Sequence, residues 1–186
     1  MMLDIRPAAI PDVKILIPQR VDDERGLFSE VYSRRMFEEA GLDLEFVQDN
    51  HSLSTEAGTI RGLHFQGPPF GQSKLVRAIR GSILDVTVDL RRSSPTFGRH
   101  VAVELSASNW RQLLVPVGFA HGFCSLEPNT EVLYKVTNYY SAAHDHGVAF
   151  DDPDLDIEWP VSPSDAILSE KDRRFPRLAE LPKYFD

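Results

Sequence analysis

The chain has little of several features that mark particular classes of protein. Its 186 residues include one cysteine, Cys124, which excludes an internal disulfide and fits a reducing compartment. No apolar run approaches the ~20 residues that a membrane-spanning helix needs. The first residues also lack the long apolar core of a secretory signal. We therefore expect a cytoplasmic protein with no membrane partner.

Positive charge is also scarce. The chain has 20 Lys and Arg against 28 Asp and Glu, a formal net charge of −8. A surface that binds a nucleic acid duplex is normally basic, so we expect no nucleic acid partner. A small anionic ligand stays compatible with this balance, because a few Arg and Lys side chains can gather in one pocket.

Common catalytic and metal motifs are missing as well. The sequence has no Gly-rich phosphate loop, no nucleophile elbow and no CxxC. Among six histidines, His64 and His121 lack a second ligand at metal spacing, and the one HxH is His144–Asp145–His146 in a stretch predicted to be a loop. We predict no metal and no other cofactor.

Short segments in which apolar and polar residues alternate make up much of the sequence. About nine or ten strands, spaced as in all-β folds, predict an antiparallel sandwich or small barrel. Residues 33–40 (SRRMFEEA) predict the one clear helix, capped by Ser33 and ended by Gly41. We also predict a polar turn at residues 21–26, a strand at 27–32, and a hairpin formed by strands 119–126 and 131–140. Loops and short segments are expected after residue 141.

The stretch at residues 59–89 gathers the most reactive side chains. Arg61, His64, Gln72 and Lys74 lie on what we interpret as two strands of a hairpin-like unit, joined by GPPFGQ. In a regular strand Arg61 and His64 would face opposite sides. Both reach one pocket only if the strand bulges, and Gly62 is where we predict that bulge.

Each candidate also has a plain structural explanation. His64 and His121 can be buried histidines satisfied by hydrogen bonds rather than catalytic groups. Tyr134 and Tyr140 are six residues apart, so on one continuous strand they would share a face about 20 Å apart, at ~3.3 Å per residue. That separation suits either a long ligand or two core aromatics. Asp172 becomes relevant only if it reaches His64.

Several segments together carry a family resemblance. In order they are DERGLFSE, RGLHFQ, KLVRAIRG, DVTVDLRRSSPTFG, VPVGFAHGF, LYKVTNYYS and LSEKD, from about residue 23 to residue 172. They resemble the dTDP-4-dehydrorhamnose 3,5-epimerase family. The resemblance implies an all-β, cupin-type jelly roll with a few short helices. It implies one domain over residues 1–186, with the core roll at about 45–140 and the terminal segments packed around it.

The resemblance also implies an activity. Family members are metal-free homodimers that invert C3 and C5 of dTDP-4-dehydro-6-deoxy-D-glucose, on the route to dTDP-L-rhamnose. By motif, His64 is the base, Asp172 orients it, Tyr134 is the acid, and Lys74 faces the keto oxygen.

Other matching positions are implied to bind substrate. Arg61 would hold the diphosphate, His121 and Lys171 would also line the site, and Tyr140 would stack on thymine. The remaining implied contacts are Gln48, Asn50, Gln72 and Asp145, with Arg25 and Glu30 reaching the partner subunit's site. Asp145, a shorter carboxylate, stands where many members have Glu.

Three alternatives stay open from sequence. One is an enzyme that inverts only C3 or only C5 of a related sugar. The second is a metal-dependent cupin enzyme, and the third is a jelly roll that binds nucleotide sugars without catalysis.

Overall fold

The computed structural model describes residues 3–186, and its regular structure is mostly β. One α-helix, α1, spans Arg34–Glu39, and short 3₁₀ turns lie at Ala142–His144, Asp172–Arg174 and Leu178–Glu180. The strands are β1 (Leu3–Pro7), β2 (Lys14–Pro18), β3 (Val21–Asp23), β4 (Gly26–Phe28), β5 (Gln48–Ser54), β6 (Ile60–Gln66), β7 (Lys74–Arg80), β8 (Ser82–Asp89), β9 (His100–Ser106), β10 (Gln112–Val115), β11 (Phe119–Ser125), β12 (Thr130–Val136) and β13 (Asp145–Gly147).

The strands form two main antiparallel sheets. The six-stranded sheet has the order β1-β2-β10-β7-β12-β5, and the five-stranded sheet has the order β13-β6-β11-β8-β9. This arrangement confirms the predicted all-β antiparallel architecture.

Strands that follow each other along the chain often lie in different sheets. β6 and β7 do not pair, and neither do β11 and β12, because each pair is divided between the two sheets. Both predicted hairpins were therefore wrong. Alternation of apolar and polar residues identifies a strand, but it does not say which sheet the strand joins. The connector at residues 67–73 crosses from one sheet to the other.

Two further segments differ from the prediction. The strand predicted at residues 131–140 ends at Val136, so Tyr140 does not continue the strand that carries Tyr134. Conversely, the stretch around His146 was predicted to be a loop, but β13 pairs there with β6, the strand of His64. Three paired residues are too short to leave a periodic signal in the sequence.

The N-terminal region contains a small separate hairpin. Residues 21–26 were predicted as a turn and 27–32 as a strand, whereas β3 pairs with β4 and the turn between them is only Glu24–Arg25. Gly26 has φ +124°, a value that favours glycine. The side chains of both strands are exposed, including Leu27 and Phe28.

Helix α1 follows the prediction. The Ser33 hydroxyl accepts a hydrogen bond from the Met36 N–H at 3.3 Å, as an N-cap residue does. Met36 and Phe37 are buried, and they pack with Leu16 and Leu75 on the outer face of the six-stranded sheet.

The apolar core lies between the two sheets. Val76 and Val132 from the six-stranded sheet pack with Ile83, Leu105 and Phe119 from the five-stranded one. A second cluster lies on the other face of the five-stranded sheet, where the C-terminal segment covers it. Its members include Leu63, Val86, Val88, Leu155, Leu178 and Leu181.

Candidate functional site

Two adjoining cavities are lined by strands of both sheets. The larger of the two has a volume of about 450 Å³ and the smaller about 200 Å³. They meet at four side chains that line both cavities, His64, Lys74, Tyr134 and Lys171.

Most other predicted site residues line one cavity or the other. The larger cavity is also lined by Arg61, His121 and Asp172. The smaller one is also lined by Gln48, Asn50, Gln72, Tyr140 and Asp145. Of the predicted set, Arg25 and Glu30 line neither.

A bulge at Gly62 brings Arg61 and His64 to the same cavity. His121 pairs with His64 and Phe123 with Arg61, so β6 uses one residue more than β11 over this interval. Gly62 has φ +138°, and a Cβ atom built there would lie 2.5 Å from the Cα atom of Gly122. Only glycine fits such an approach. The bulge predicted at this position is confirmed.

His64 is held by a buried carboxylate. Its Nε2 atom lies 2.8 Å from Oδ1 of Asp172, which is 5% exposed. The second oxygen, Oδ2, accepts from the Gly62 N–H at 3.2 Å, and the Ser169 hydroxyl accepts from the Asp172 N–H at 3.1 Å. Burial alone would raise the pKa of Asp172, but the hydrogen bonds from His64 and Gly62 outweigh it and lower that pKa.

Lys74 is a buried cation beside the histidine. Its Nζ atom donates to the backbone carbonyl of His64 at 3.2 Å, and the residue is 7% exposed. Burial lowers the pKa of Lys74 from 10.5 to about 8, although the nearby carboxylates of Asp145 and Asp85 raise it.

His121 forms a second buried pair with a carboxylate. Its Nε2 atom lies 3.0 and 2.9 Å from the two oxygens of Asp85, and both residues are buried. Burial lowers the pKa of His121 and raises the pKa of Asp85, while their mutual contact opposes both shifts. Asp85 is not among the residues predicted from the sequence. Its signal was a carboxylate on an alternating strand, SILDVTVD, which we used only as evidence for β structure.

Tyr134 stands on β12, in the opposite sheet from His64. Burial raises the pKa of its phenol, and the charge of Arg61 opposes that rise. Arg61 itself is anchored at the cavity wall, since its Nη2 donates to the Leu53 carbonyl at 2.9 Å and its Nε to the Ser54 hydroxyl at 3.2 Å. The cavity therefore has an imidazole and a phenol from different sheets.

The smaller cavity is organised around Asp145. The Tyr140 hydroxyl donates to Oδ2 of Asp145 at 2.9 Å, and the Lys171 ammonium bonds to the same oxygen. The hydrogen bond to Asp145 raises the pKa of Tyr140. Because Asp145 begins β13, its position is fixed by pairing with Gln66 of β6.

Comparison with known proteins identifies the family to which this chain belongs. The family model for dTDP-4-dehydrorhamnose 3,5-epimerase matches residues 7–180. The chain belongs to this family. The enzyme of that name from Sinorhizobium fredii is 51% identical over 177 residues, which cover 95% of this chain and 90% of the relative. Epimerases of this kind are isomerases, and so is this protein.

Solved structures agree with the family assignment. The Bacillus anthracis 3,5-epimerase, with TDP and PPi bound, has a TM-score of 0.91 and 52% identity, covering 94% of this chain and 99% of that one. The dTDP-6-deoxy-D-glucose-3,5-epimerase of Legionella pneumophila, in complex with dTDP-4-keto-L-rhamnose, has a TM-score of 0.92 and 40% identity, covering 97% and 95%. The cupin-type jelly roll implied by the epimerase resemblance is confirmed.

Two residues matched to the epimerase motifs lie apart from the cavities in this chain. Arg25 is at the tip of the exposed β3–β4 hairpin, where its guanidinium pairs with Asp23 at 2.5 Å. Glu30 follows the hairpin and accepts from the Ser33 hydroxyl at 2.7 Å. Within one copy of the epimerase chain, neither residue lines the site.

The histidines that flank Asp145 have structural contacts. His146 packs between Phe65 and Tyr184, with ring centroids 5.6 and 4.5 Å away. The Nδ1 atom of His144 lies 2.8 Å from the Ser141 hydroxyl. Across the described part of this epimerase, no group of three or more His, Cys, Asp or Glu side chains is placed to hold a metal ion. Within residues 3–186, helices long and apolar enough to cross a membrane are also absent.

Proposed function

We propose that this enzyme inverts C3 and C5 of dTDP-4-dehydro-6-deoxy-D-glucose and forms dTDP-4-dehydro-L-rhamnose, in dTDP-L-rhamnose biosynthesis. The observation that carries the proposal is the meeting of His64, Lys74 and Tyr134 where the two cavities join. The names and bound ligands of its relatives support the choice of substrate.

The proposed base is His64. The protons on C3 and C5 are acidic because each carbon is next to the C4 ketone, so removing one gives an enolate. With Nε2 of His64 occupied by Asp172, Nδ1 is the nitrogen that takes the proton. Asp172 keeps the ring in that tautomer and stabilises the imidazolium that forms.

The enolate oxygen needs a positive partner. Lys74, as a buried ammonium, stabilises charge that develops on the C4 oxygen in the transition state. The chemistry of these steps requires no redox cofactor and no metal.

Inversion requires a proton from the opposite side of the sugar ring. Tyr134 comes from the other sheet than His64, so it suits the role of acid. We expect Tyr134→Phe to retain deuterium exchange at the acidic carbons while it lowers product formation about 10²-fold, as general acids contribute. Mass spectrometry for exchange and chromatography for product measure the two rates. An equal loss of both rates would contradict a simple acid role.

Substrate binding divides between the cavities. In this proposal Arg61 holds the diphosphate, because the guanidinium fork matches phosphate oxygens, and His121 and Lys171 line the same region. Tyr140 stacks on thymine, with Asp145 beside it, while Gln48, Asn50 and Gln72 line the wall of the smaller cavity.

Incubation with the proposed substrate in D2O tests the reaction itself. We expect NMR to show deuterium at both C3 and C5 and a product with both centres inverted. Label at one carbon alone would indicate a mono-epimerase instead. Product without any label would rule out proton exchange with solvent as the mechanism.

We further propose that the protein is a cytoplasmic homodimer of single-domain chains, in which Arg25 and Glu30 reach the partner subunit's site. The support is the exposed β3–β4 hairpin, which carries Leu27 and Phe28 on a surface with no cover. Sedimentation at about twice 21.0 kDa is expected. A stable monomer with full activity would argue against it.

A further inference from the structure

The segment that carries Tyr140 has little of the support that β-strands provide. β12 ends at Val136, and the chain next enters a regular element at Ala142. Tyr140 is 59% exposed and its neighbour Tyr139 is 64% exposed, so packing does little to fix them. A loop of this kind is expected to be mobile unless its backbone is bound elsewhere.

Gln66 supplies such binding from the end of β6. Its side chain is buried, with the residue 4% exposed. The Nε2 group donates to the Tyr139 carbonyl at 3.1 Å, and Oε1 accepts from the Ser141 N–H at 2.6 Å. One amide therefore holds the backbone on both sides of Tyr140. Its second N–H donates to the Phe70 carbonyl at 2.8 Å, which ties in the connector between β6 and β7.

Two more glutamines bind the same stretch of backbone. Gln72 donates to the Asn138 carbonyl at 2.7 Å. Gln48 accepts from the Tyr140 N–H at 3.2 Å and donates to Asn50 at 2.8 Å. The amides of Gln48 and Gln72, expected from sequence to contact substrate, are thus engaged with protein atoms.

We propose that Gln66 is a positioning residue that fixes the backbone on either side of Tyr140 and so holds this ring at the smaller cavity. This inference rests on the proposed function, because the stacking of Tyr140 on thymine is part of that proposal. A rigid aromatic platform gains affinity because less conformational freedom is lost when the base binds. Buried amides that bind backbone groups are also costly to replace.

Calorimetry on Gln66→Met tests the inference, because methionine has a similar size and makes none of these hydrogen bonds. We expect the Kd for dTDP to rise about tenfold and the Kd for inorganic pyrophosphate to change less than twofold. KM for the nucleotide sugar should rise in parallel with the Kd for dTDP, while kcat changes little. If circular dichroism shows that Gln66→Met does not fold, Gln66→Glu replaces it, since it retains the acceptor for Ser141 and loses the donors.

The matched control is Thr130→Val. Thr130 is 1% exposed, donates to the Glu127 carbonyl at 2.8 Å, and lines neither cavity. The Thr130→Val substitution should lower Tm, as the loss of a buried hydrogen bond does, and leave the Kd for dTDP unchanged. An equal rise of Kd in both variants would show that Gln66 acts only through global stability, and that result overturns the inference.

A double-mutant cycle separates this inference from the proposal beneath it. If Gln66 acts through Tyr140, adding Gln66→Met to Tyr140→Ala should change the Kd for dTDP less than twofold. Full additivity would overturn the positioning role alone. If Tyr140→Ala by itself leaves the Kd for dTDP unchanged, the thymine contact is wrong and the inference falls with it.

Discussion

Replacing His64 with asparagine is expected to lower kcat by about 10⁴-fold, at the upper end of what a general base contributes. Asparagine has a side chain of similar size that can still form hydrogen bonds, but it accepts no proton at neutral pH. Deuterium exchange at C3 and C5 should fall in the same proportion as product formation, because both begin with proton removal. The Kd for dTDP, measured by calorimetry, should change less than threefold.

The chain offers a matched control for this substitution. His51 also pairs with a carboxylate, since its Nε2 lies 2.9 Å from Glu131, but its side chain is 52% exposed and lines neither cavity. His51→Asn should leave kcat within twofold of the original. Turnover of His64→Asn within tenfold of the unaltered enzyme would exclude His64 as the base.

Replacing Lys74 with methionine is expected to lower kcat by about 10²- to 10³-fold, the usual effect of removing one group that stabilises an oxyanion. The aliphatic part of the side chain stays, so packing between the sheets is preserved. Steady-state assay gives kcat, and retained binding of dTDP shows that the fold is intact. Lys135→Met is the control, because Lys135 is on the same sheet and pairs with Asp49 outside both cavities.

The lowered pKa of Lys74 adds a pH signature. In the proposed mechanism only the ammonium form stabilises the enolate, so we expect kcat/KM to fall as pH rises through about 8, the pKa of this group in the free enzyme. The effect of the same group on the stability of the fold changes with pH in the opposite direction. The unfolded chain holds this proton up to about pH 10.5, so the contribution of Lys74 to the free energy of unfolding rises between about pH 8 and 10.5. A pH profile of Lys74→Met with the same alkaline limb would assign that limb to another group.

Sequence patterns predicted most of the strands and the bulge at Gly62 because the relevant signals are local. Alternation identifies a strand, and a glycine between Arg61 and His64 identifies the one place where both side chains can turn to the same side. The pairing of strands was less accessible, since it depends on contacts between distant parts of the chain. For the same reason Asp85 and Gln66 went unnoticed: each acts on a partner that only the folded sheets bring close.

The exposed ring of Tyr140 illustrates the same limit. A six-residue spacing from Tyr134 suggested one strand and one face, but the chain leaves the sheet after Val136. Hydrogen bonds from glutamine side chains then determine the path of the backbone, and such bonds leave no periodicity in the sequence. The family motifs included this tyrosine, whereas the physical pattern misplaced it.

The carboxylate that pairs with His64 comes from a residue near the C-terminal end of the described chain. Asp172 lies 108 residues after the histidine that it holds, and it follows β13, the last strand of either sheet. During synthesis, every strand can therefore have left the ribosome before the imidazole acquires its carboxylate. A chain that stops short of this turn would lack the carboxylate that orients the proposed base, and also Leu178 and Leu181, which pack on the five-stranded sheet. We therefore expect turnover only from a chain that has been synthesised beyond Asp172.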